Sequence, residues 1–225
     1  MGRDLYQRES SGYDRALGFF DAIYGFSLTL LIANLDAPPA EAWQSLDALL
    51  AHDVGNQLFG FLISFVVIAA FWRVNHRAID RLSTIDSRVI LMNIIAAGLV
   101  IFIPFTTQGI SDSETSDLPL PLALYAVNIA AAMLAQSVIM FTARRYDEAA
   151  HPLTARQWGI QVLDAMVGPL VFLGSVPVAY AWGGDTAKFC WLLLIVLGPL
   201  SARLAQRATA ALAPEPPLEA EPLAS

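Results

Sequence analysis

The chain has little charge, one cysteine and three histidines among its 225 residues. A lone cysteine, Cys190, excludes intrachain disulfides and makes redox chemistry a poor explanation of function. His52, His76 and His151 show none of the spacings that bind metal ions. Charged residues make up 15% of the chain, against about a quarter in soluble domains. The composition therefore argues against a soluble globular protein.

Catalytic and nucleic-acid-binding patterns are missing as well. The sequence contains no nucleophile elbow, no glycine-rich phosphate loop and no basic surface with interleaved aromatic residues. No two carboxylates share one helical face within an apolar segment. We therefore predict that the chain is not an enzyme, uses no cofactor or metal ion and has no nucleic-acid partner.

The sequence is rich in long apolar segments, and 56% of its residues are hydrophobic. A helix needs about 20 apolar residues to cross ~30 Å of hydrocarbon. Six segments qualify: residues 16–35, 56–74, 89–107, 119–141, 159–182 and 187–205. We predict an all-α membrane protein, in which six transmembrane helices form a single repeat within one domain, residues 1–207. The acidic, proline-rich residues 208–225 have too little apolar surface to fold and are predicted to be a disordered tail.

The basic residues fall almost entirely on one side of the predicted membrane. Twelve of the thirteen lie before the first helix, after the last, or in the second and fourth connections. The connections 36–55 and 108–118 contain no Lys or Arg, and only Lys188 lies near the remaining one. Under the positive-inside rule, both termini are expected in the cytoplasm of a multi-pass cell-membrane protein.

The connection 36–55 has an apolar pattern of its own. Trp43, Leu46, Leu49 and Leu50 recur at helical spacing, which predicts a short amphipathic helix over residues 40–52. Such a helix suits an anchor at the outer membrane interface, and a cover over a pore mouth is the alternative.

The first apolar segment carries a stripe of small and weakly polar residues. When residues are placed at 100° intervals, Ala22, Gly25, Phe26, Thr29 and Ala33 share one sector of the helix. A stripe of this kind occurs where a helix packs closely against another backbone, and also where it lines a narrow aqueous path. In a pore, Phe26 would form an apolar constriction that gates by dewetting.

The same segment contains a carboxylate, Asp21, about one turn inside its start. An acid within a membrane costs roughly 2.5–3.5 kcal/mol on insertion scales, so a functional or structural role is expected. Asn75 and His76 end the second segment at a similar depth, and we expect them to hydrogen-bond groups near Asp21 or Arg15. Trp72 beside them has the alternative explanation of an interfacial aromatic belt.

Three short motifs together resemble the transmembrane protein 175 family, the potassium channels of endosomes and lysosomes and their single-repeat bacterial relatives. "RALGFFD", from Arg15, resembles the RxxxFSD signature of the first helix in that family. "FWRVNH", from Phe71, resembles the Trp and His-His ending of the second helix. "IPFTT", from Ile103, resembles the Leu-x-Pro-Phe-x-Thr ending of the third. The last three predicted helices are similar in number and length alone.

The resemblance implies a homotetramer in the lipid bilayer, with the first helix of each subunit lining a central pore that has no TVGYG filter. It places the pore constriction at Phe26, with Leu30 and Ala33 further out, and a hydroxyl layer that favours K⁺ at Thr29. A network at the inner end of the first helix would stabilise the tetramer without touching the ion. Its residues are Arg15, Phe19, Asp21, Trp72, Asn75 and His76.

The chain departs from the family pattern at three of these positions. Phe20 replaces the usual Ser, Asn75 replaces the first His, and Phe26 stands where an aliphatic residue is usual. The leading hypothesis is a weakly selective, K⁺-permeable channel for monovalent cations. The alternatives are a proton or cation transporter that uses Asp21 and Asp164, and a membrane scaffold that conducts no ions.

Overall fold

The computed structural model describes residues 6–7, 11–51, 54–80, 84–85, 87–147 and 153–210. These ranges are largely helical, with one short antiparallel pairing between β1 (Tyr6–Gln7) and β2 (Thr84–Ile85). The helices are α1 (Ser11–Ala33), α2 (Leu46–Ala51), α3 (Val54–Asp80), α4 (Ser87–Ile101), α5 (Ile103–Ser111), α6 (Pro119–Asp147), α7 (Ala155–Trp182), α8 (Gly184–Lys188) and α9 (Leu193–Ala210). Short 3-10 helices cover Ala40–Gln44 and Phe189–Leu192.

Six stretches of the described chain are long and apolar enough to cross a membrane. They are α1, α3, α4 with α5, α6, α7, and α8 to α9 with the 3-10 turn between them. The prediction of an all-helical protein with six membrane spans is confirmed. The predicted tail lies almost wholly outside the described residues, because α9 ends at Ala210 and residues 211–225 are not described.

The first two spans run in opposite directions, as contacts at their two ends show. At one end, the Tyr13 hydroxyl of α1 donates to the Ile79 carbonyl of α3, 3.1 Å away. At the other end, the backbone N–H of Asp36, just beyond α1, donates to the side chain of Gln57 near the start of α3. The first end carries the arginines, and the second carries most of the acidic connections.

The third span is interrupted where Pro104 enters it. Proline has no N–H to donate, and α4 ends at Ile101 while α5 begins at Ile103. The Thr106 and Thr107 hydroxyls both donate to the Ile103 carbonyl, at 3.0 and 2.8 Å. The carbonyl that loses its donor is that of Val100, four residues before Pro104, so these two bonds tighten the turn and do not replace the missing one.

A tight turn at Gly183 joins the fifth and sixth spans. Gly183 has φ +89°, in the left-handed region that residues with a Cβ rarely occupy. The next N–H, from Gly184, donates to the Asp117 carbonyl at 2.8 Å. The glycine pair thus lets α8 start directly against the connection before α6.

The middle of the bundle is held by polar pairs as well as apolar contacts. The Ser64 hydroxyl of α3 lies 2.7 Å from Thr107 Oγ1 and 3.2 Å from the Tyr125 hydroxyl of α6. Beyond Tyr125, the rings of Phe172 and Trp191 pack together with centroids 5.3 Å apart. Helix α1 packs on α3, α4 and α5 at one flank, and α9 packs mainly on α7 at the other.

The predicted amphipathic helix in the first acidic connection is divided at Ser45. A 3-10 turn precedes this residue and α2 follows it, with the Ser45 hydroxyl accepting from the Ala48 N–H at 3.0 Å. Trp43 and Leu46 project from the protomer as strongly exposed side chains. The apolar row is present, but as two short helices in place of one continuous helix.

Candidate ion pathway along the first helix

Helix α1 has one face inside the protomer and one outside it. Tyr24, Ser27 and Leu31 are buried against the neighbouring helices. Around the rest of the helix, exposed residues recur at intervals of three and four positions. Because α1 is apolar from Ala22 to Ala33, with only Ser27 and Thr29 as polar side chains besides the Tyr24 hydroxyl, this outer face needs a lipid or a protein partner beyond the protomer.

The exposed face contains the stripe found in the sequence. Ala22, Gly25, Phe26, Thr29 and Ala33 are all exposed, and 64% of the Phe26 surface is accessible. Leu30 is half-buried at the edge of this face. No helix in the described part of the protomer covers the stripe, so a helix packed closely against it would have to come from another subunit. A contact between subunits and a pore wall both remain compatible with it.

The Thr29 hydroxyl makes a local hydrogen bond that fixes its orientation. It donates to the Phe26 carbonyl, 2.7 Å away. Since the single hydroxyl proton is used in this bond, the oxygen lone pairs are free to accept or to coordinate a cation. The exposed stripe of α1 therefore combines one bulky apolar ring, Phe26, with one hydroxyl oxygen, Thr29, about a turn further along.

The buried face of α1 is fixed by a polar contact that the periodicity did not reveal. Gln136 of α6 donates from its Nε2 to the Tyr24 hydroxyl in a short hydrogen bond. Both residues are almost fully buried. In the sequence, Gln136 and Tyr24 are an amide and a phenol within apolar segments. They lie 112 positions apart, and no sequence pattern pairs them.

The arginine-rich end of α1 is joined to α3 by the predicted acid. Trp72 donates from its indole Nε1 to Asp21 Oδ1, at 2.8 Å. The Trp72 ring stacks on His76, with centroids 5.5 Å apart and planes 25° apart. His76 Nε2 in turn lies 3.4 Å from Asp80 Oδ2. Asp21 therefore begins a chain of contacts that runs along α3.

Other members of the predicted network lie apart from Asp21 within the protomer. Among the described residues, Asn75 Oδ1 is buried without a hydrogen-bond partner, and no ion pair forms to Arg15. Phe19 is exposed and meets Phe20 edge to face, at 5.6 Å. Among the described residues no hydrogen bond joins Asn75 or His76 to Asp21 or Arg15, and His76 meets the Asp21 junction only by stacking on Trp72.

The second intramembrane acid, Asp164, is far from Asp21 in the helix order. It accepts a short hydrogen bond from the Ser201 hydroxyl, which joins α7 to α9. It also borders a cavity of about 510 Å³ between α3, α6, α7 and α9. In the part of the chain that is described, no three His, Cys, Asp or Glu side chains group in a way that could hold a metal ion.

The first part of the chain is similar to one family of known proteins. Residues 15–104, the first three spans, match the family model described as endosomal/lysosomal potassium channel TMEM175. The resemblance to the TMEM175 family is confirmed. The human endosomal/lysosomal proton channel TMEM175 is 21% identical to this chain over 142 residues. That match covers 63% of this chain and 28% of the human protein, so the chain spans little more than a quarter of this relative.

A solved TMEM175 structure shares the fold. The crystal structure of a lysosomal potassium-selective channel TMEM175 homologue from Chamaesiphon minutus superposes with a TM-score of 0.62, at 20% sequence identity. The superposition covers 88% of this chain and 99% of the other. Because the similarity includes α6 to α9, it extends the TMEM175 fold to spans in which the sequence showed no family motif. The family model and both relatives are described as channels, which supports the prediction that the chain is not an enzyme.

Proposed function

We propose that this chain forms a homotetrameric channel for monovalent cations, permeable to K⁺ with weak selectivity, in which α1 of each subunit lines the central pore. The observation that carries the proposal is the exposed stripe on α1, which faces away from every helix of its own protomer. A four-fold axis beside this face would enclose a path walled by small residues. The channel descriptions of the TMEM175 relatives support the same function.

Phe26 forms the pore constriction in this proposal. Four exposed rings around the axis make an apolar ring of side chains, and such constrictions close by losing their water. Leu30 and Ala33 continue the pore wall toward the end of α1 that lies near the acidic connections. Of these two residues, Ala33 has the smaller side chain. The Thr29 oxygens form the layer that favours K⁺, because their protons are held by the Phe26 carbonyls.

The charge distribution favours cations at the end opposite to the arginines. The connections there hold eight carboxylates against one base, Lys188, which already pairs with Asp185 at 2.6 Å. The acids are Asp36, Glu41, Asp47, Asp53, Asp112, Glu114, Asp117 and Asp185. Four copies of such a surface around a pore mouth raise the local cation concentration and repel anions.

The arginine-rich end holds the pore helix in place. The Asp21–Trp72 hydrogen bond ties α1 to α3, and the His76 ring stacks on Trp72. Phe19 and Asn75 lie apart from this junction within the protomer. Arg15 is exposed at the same end, where it can reach a neighbouring subunit. This end, with both termini, lies in the cytoplasm, and the protein resides in the cell membrane.

Flux through liposomes containing the purified protein tests the pore assignment. Phe26→Ala removes the constriction and is expected to raise K⁺ flux about tenfold, the effect of a barrier lowered by ~1.4 kcal/mol. Thr29→Val removes the oxygen at constant shape and should bring the K⁺/Na⁺ permeability ratio toward one. If both variants conduct like the native protein, α1 does not line the pathway.

Two matched substitutions control for general damage. Phe189→Ala removes an equally exposed ring from the sixth span, and Thr142→Val removes a hydroxyl that donates to a backbone carbonyl on α6. Neither should change K⁺ flux. Disulfide crosslinking at Phe26→Cys, in a Cys190→Ser background, adds a structural test. Crosslinked subunits with blocked flux place α1 at the axis, and uncrosslinked subunits with normal flux remove it from there.

A further inference from the structure

A groove between α7 and α9 lies on the flank of the protomer farthest from α1 in the helix order. It has a volume of about 670 Å³ and opens at the arginine-rich end of the bundle. Its walls are apolar side chains that recur every three or four residues on each helix. They include Ile160, Leu163 and Val167 of α7 and Leu197, Leu200 and Leu204 of α9.

The groove has the depth of one leaflet. From Arg156 to Val167 the α7 wall extends roughly 16 Å, at 1.5 Å per residue, which is about half of the ~30 Å hydrocarbon thickness. Its position also suits a lipid ligand. α9 packs mainly on α7 and the preceding 3-10 turn, and its Ile195 and Val196 are strongly exposed beside the groove.

Positive charge is gathered at the open end of this apolar groove. Arg156 and Arg207 both line it, one from each helix, and both are exposed. Among the side chains the structure describes, no carboxylate lies within ion-pair distance of either guanidinium. The start of α7, capped by Thr154, also lies there, but the negative end of α9 lies beside it, since Gln157 donates to the Ala208 carbonyl. The positive charge of this end therefore comes from the two arginines.

The one acid in the groove is separated from this positive end. Asp164 lies eight residues beyond Arg156 along α7, roughly 12 Å deeper. Its carboxylate accepts the hydrogen bond from Ser201 that joins the two helices at the floor of the groove. A negatively charged group held between Arg156 and Arg207 would thus lie well away from Asp164.

We propose that this groove binds an anionic phospholipid from the leaflet at the arginine-rich end. The two arginines bind the phosphate group, and the acyl chains lie between the leucine rows of α7 and α9. Guanidinium groups suit phosphate because they donate several hydrogen bonds in one plane, and basic pockets between membrane helices bind anionic headgroups. A soluble phosphate ion would use the arginines alone, whereas a phospholipid also uses the apolar wall below them.

Native mass spectrometry of the detergent-purified chain tests this site without any assay of ion flux. We expect the native protein to bind phosphatidylglycerol more tightly than phosphatidylcholine, and the double variant R156Q/R207Q to lose about 30-fold in phosphatidylglycerol affinity. R156K/R207K, which keeps both charges, should retain most of the preference. The control R73Q/R203Q removes two exposed arginines from the same end of the bundle, outside the groove, and should change affinity less than twofold.

Several results would overturn the proposal. If the native protein binds both lipids equally, the lipid contact is non-specific. The same conclusion follows if R156Q/R207Q and R73Q/R203Q lose equal phosphatidylglycerol affinity. A smaller oligomeric mass for R156Q/R207Q would assign the groove to a neighbouring subunit. The acidic tail is the remaining competitor: if R156Q/R207Q has no effect once Glu215, Glu219 and Glu221 are changed to Gln, the arginines hold the tail.

Discussion

The hydrogen bond between Tyr24 and Gln136 gives a quantitative test of how α1 is held against the bundle. Tyr24 is 1% exposed and Gln136 is 2% exposed, and they join α1 to α6. Tyr24→Phe removes the hydroxyl and leaves the Gln136 amide without this partner. An unsatisfied buried polar group costs about 1–3 kcal/mol.

The environment of Gln136 narrows the expected cost of Tyr24→Phe. Hydrogen bonds between membrane helices average about 0.6 kcal/mol, with a maximum near 1.7. Gln136 also borders the 510 Å³ cavity, from which water can reach its amide. We therefore expect Tyr24→Phe to lower the free energy of unfolding by about 1–1.5 kcal/mol. Tyr180→Phe on α7, where the hydroxyl is exposed, is the matched control and should cost almost nothing.

A double-mutant cycle in mixed detergent–SDS micelles, followed by tryptophan fluorescence, provides the measurement. Gln136→Leu alone should be destabilising because it leaves the Tyr24 hydroxyl unpaired. Y24F/Q136L removes both polar groups and should cost less than the sum of the single changes, by about 1 kcal/mol. Strictly additive effects would show that the two side chains do not interact, and would refute this account of how α1 is positioned.

Three further predictions concern packing, the second intramembrane acid and the acidic end. Gly60→Ala places a Cβ against the buried Ser111 side chain and should cost about 1–3 kcal/mol, whereas Gly98→Ala, with open space around it, should be neutral or slightly stabilising in the same unfolding assay. Asp164→Asn should leave K⁺ flux in liposomes unchanged, and loss of pH-dependent transport in that variant would support the transporter alternative. Lys188→Met removes the ammonium that donates to the Ile110 carbonyl at 2.9 Å, and a cost of about 1–2 kcal/mol is expected. A native unfolding midpoint for that variant would mean that the bond is not stabilising.

Structural features that depend on one helix alone are predictable from the sequence. The six spans follow from apolar length, because a backbone in hydrocarbon must satisfy its own hydrogen bonds. The grouping of the α1 stripe follows from helical periodicity, which fixes the residues that share a face.

Expectations that needed a partner from another helix were less accurate. The Trp72 indole donates a hydrogen bond to Asp21. A tryptophan that served only in an interfacial aromatic belt would not need this bond. Asn75 was expected to join them, but its side chain is buried and its Oδ1 has no partner among the described residues. Trp72, Asn75 and His76 lie on one side of α3, and the sequence does not say which of them meets a particular helix.

The sequence by itself determined the class of the protein, its six spans, the charge asymmetry and the composition of the two faces of α1. The tertiary structure decided which face is buried, since Tyr24 finds Gln136 only after α1 and α6 are packed together. It also decided that Arg156 and Arg207 flank one groove, although 51 positions separate them. The physical reason is that burial and periodicity are local to a helix, whereas contacts between helices depend on how each helix is rotated and where it lies in the bundle.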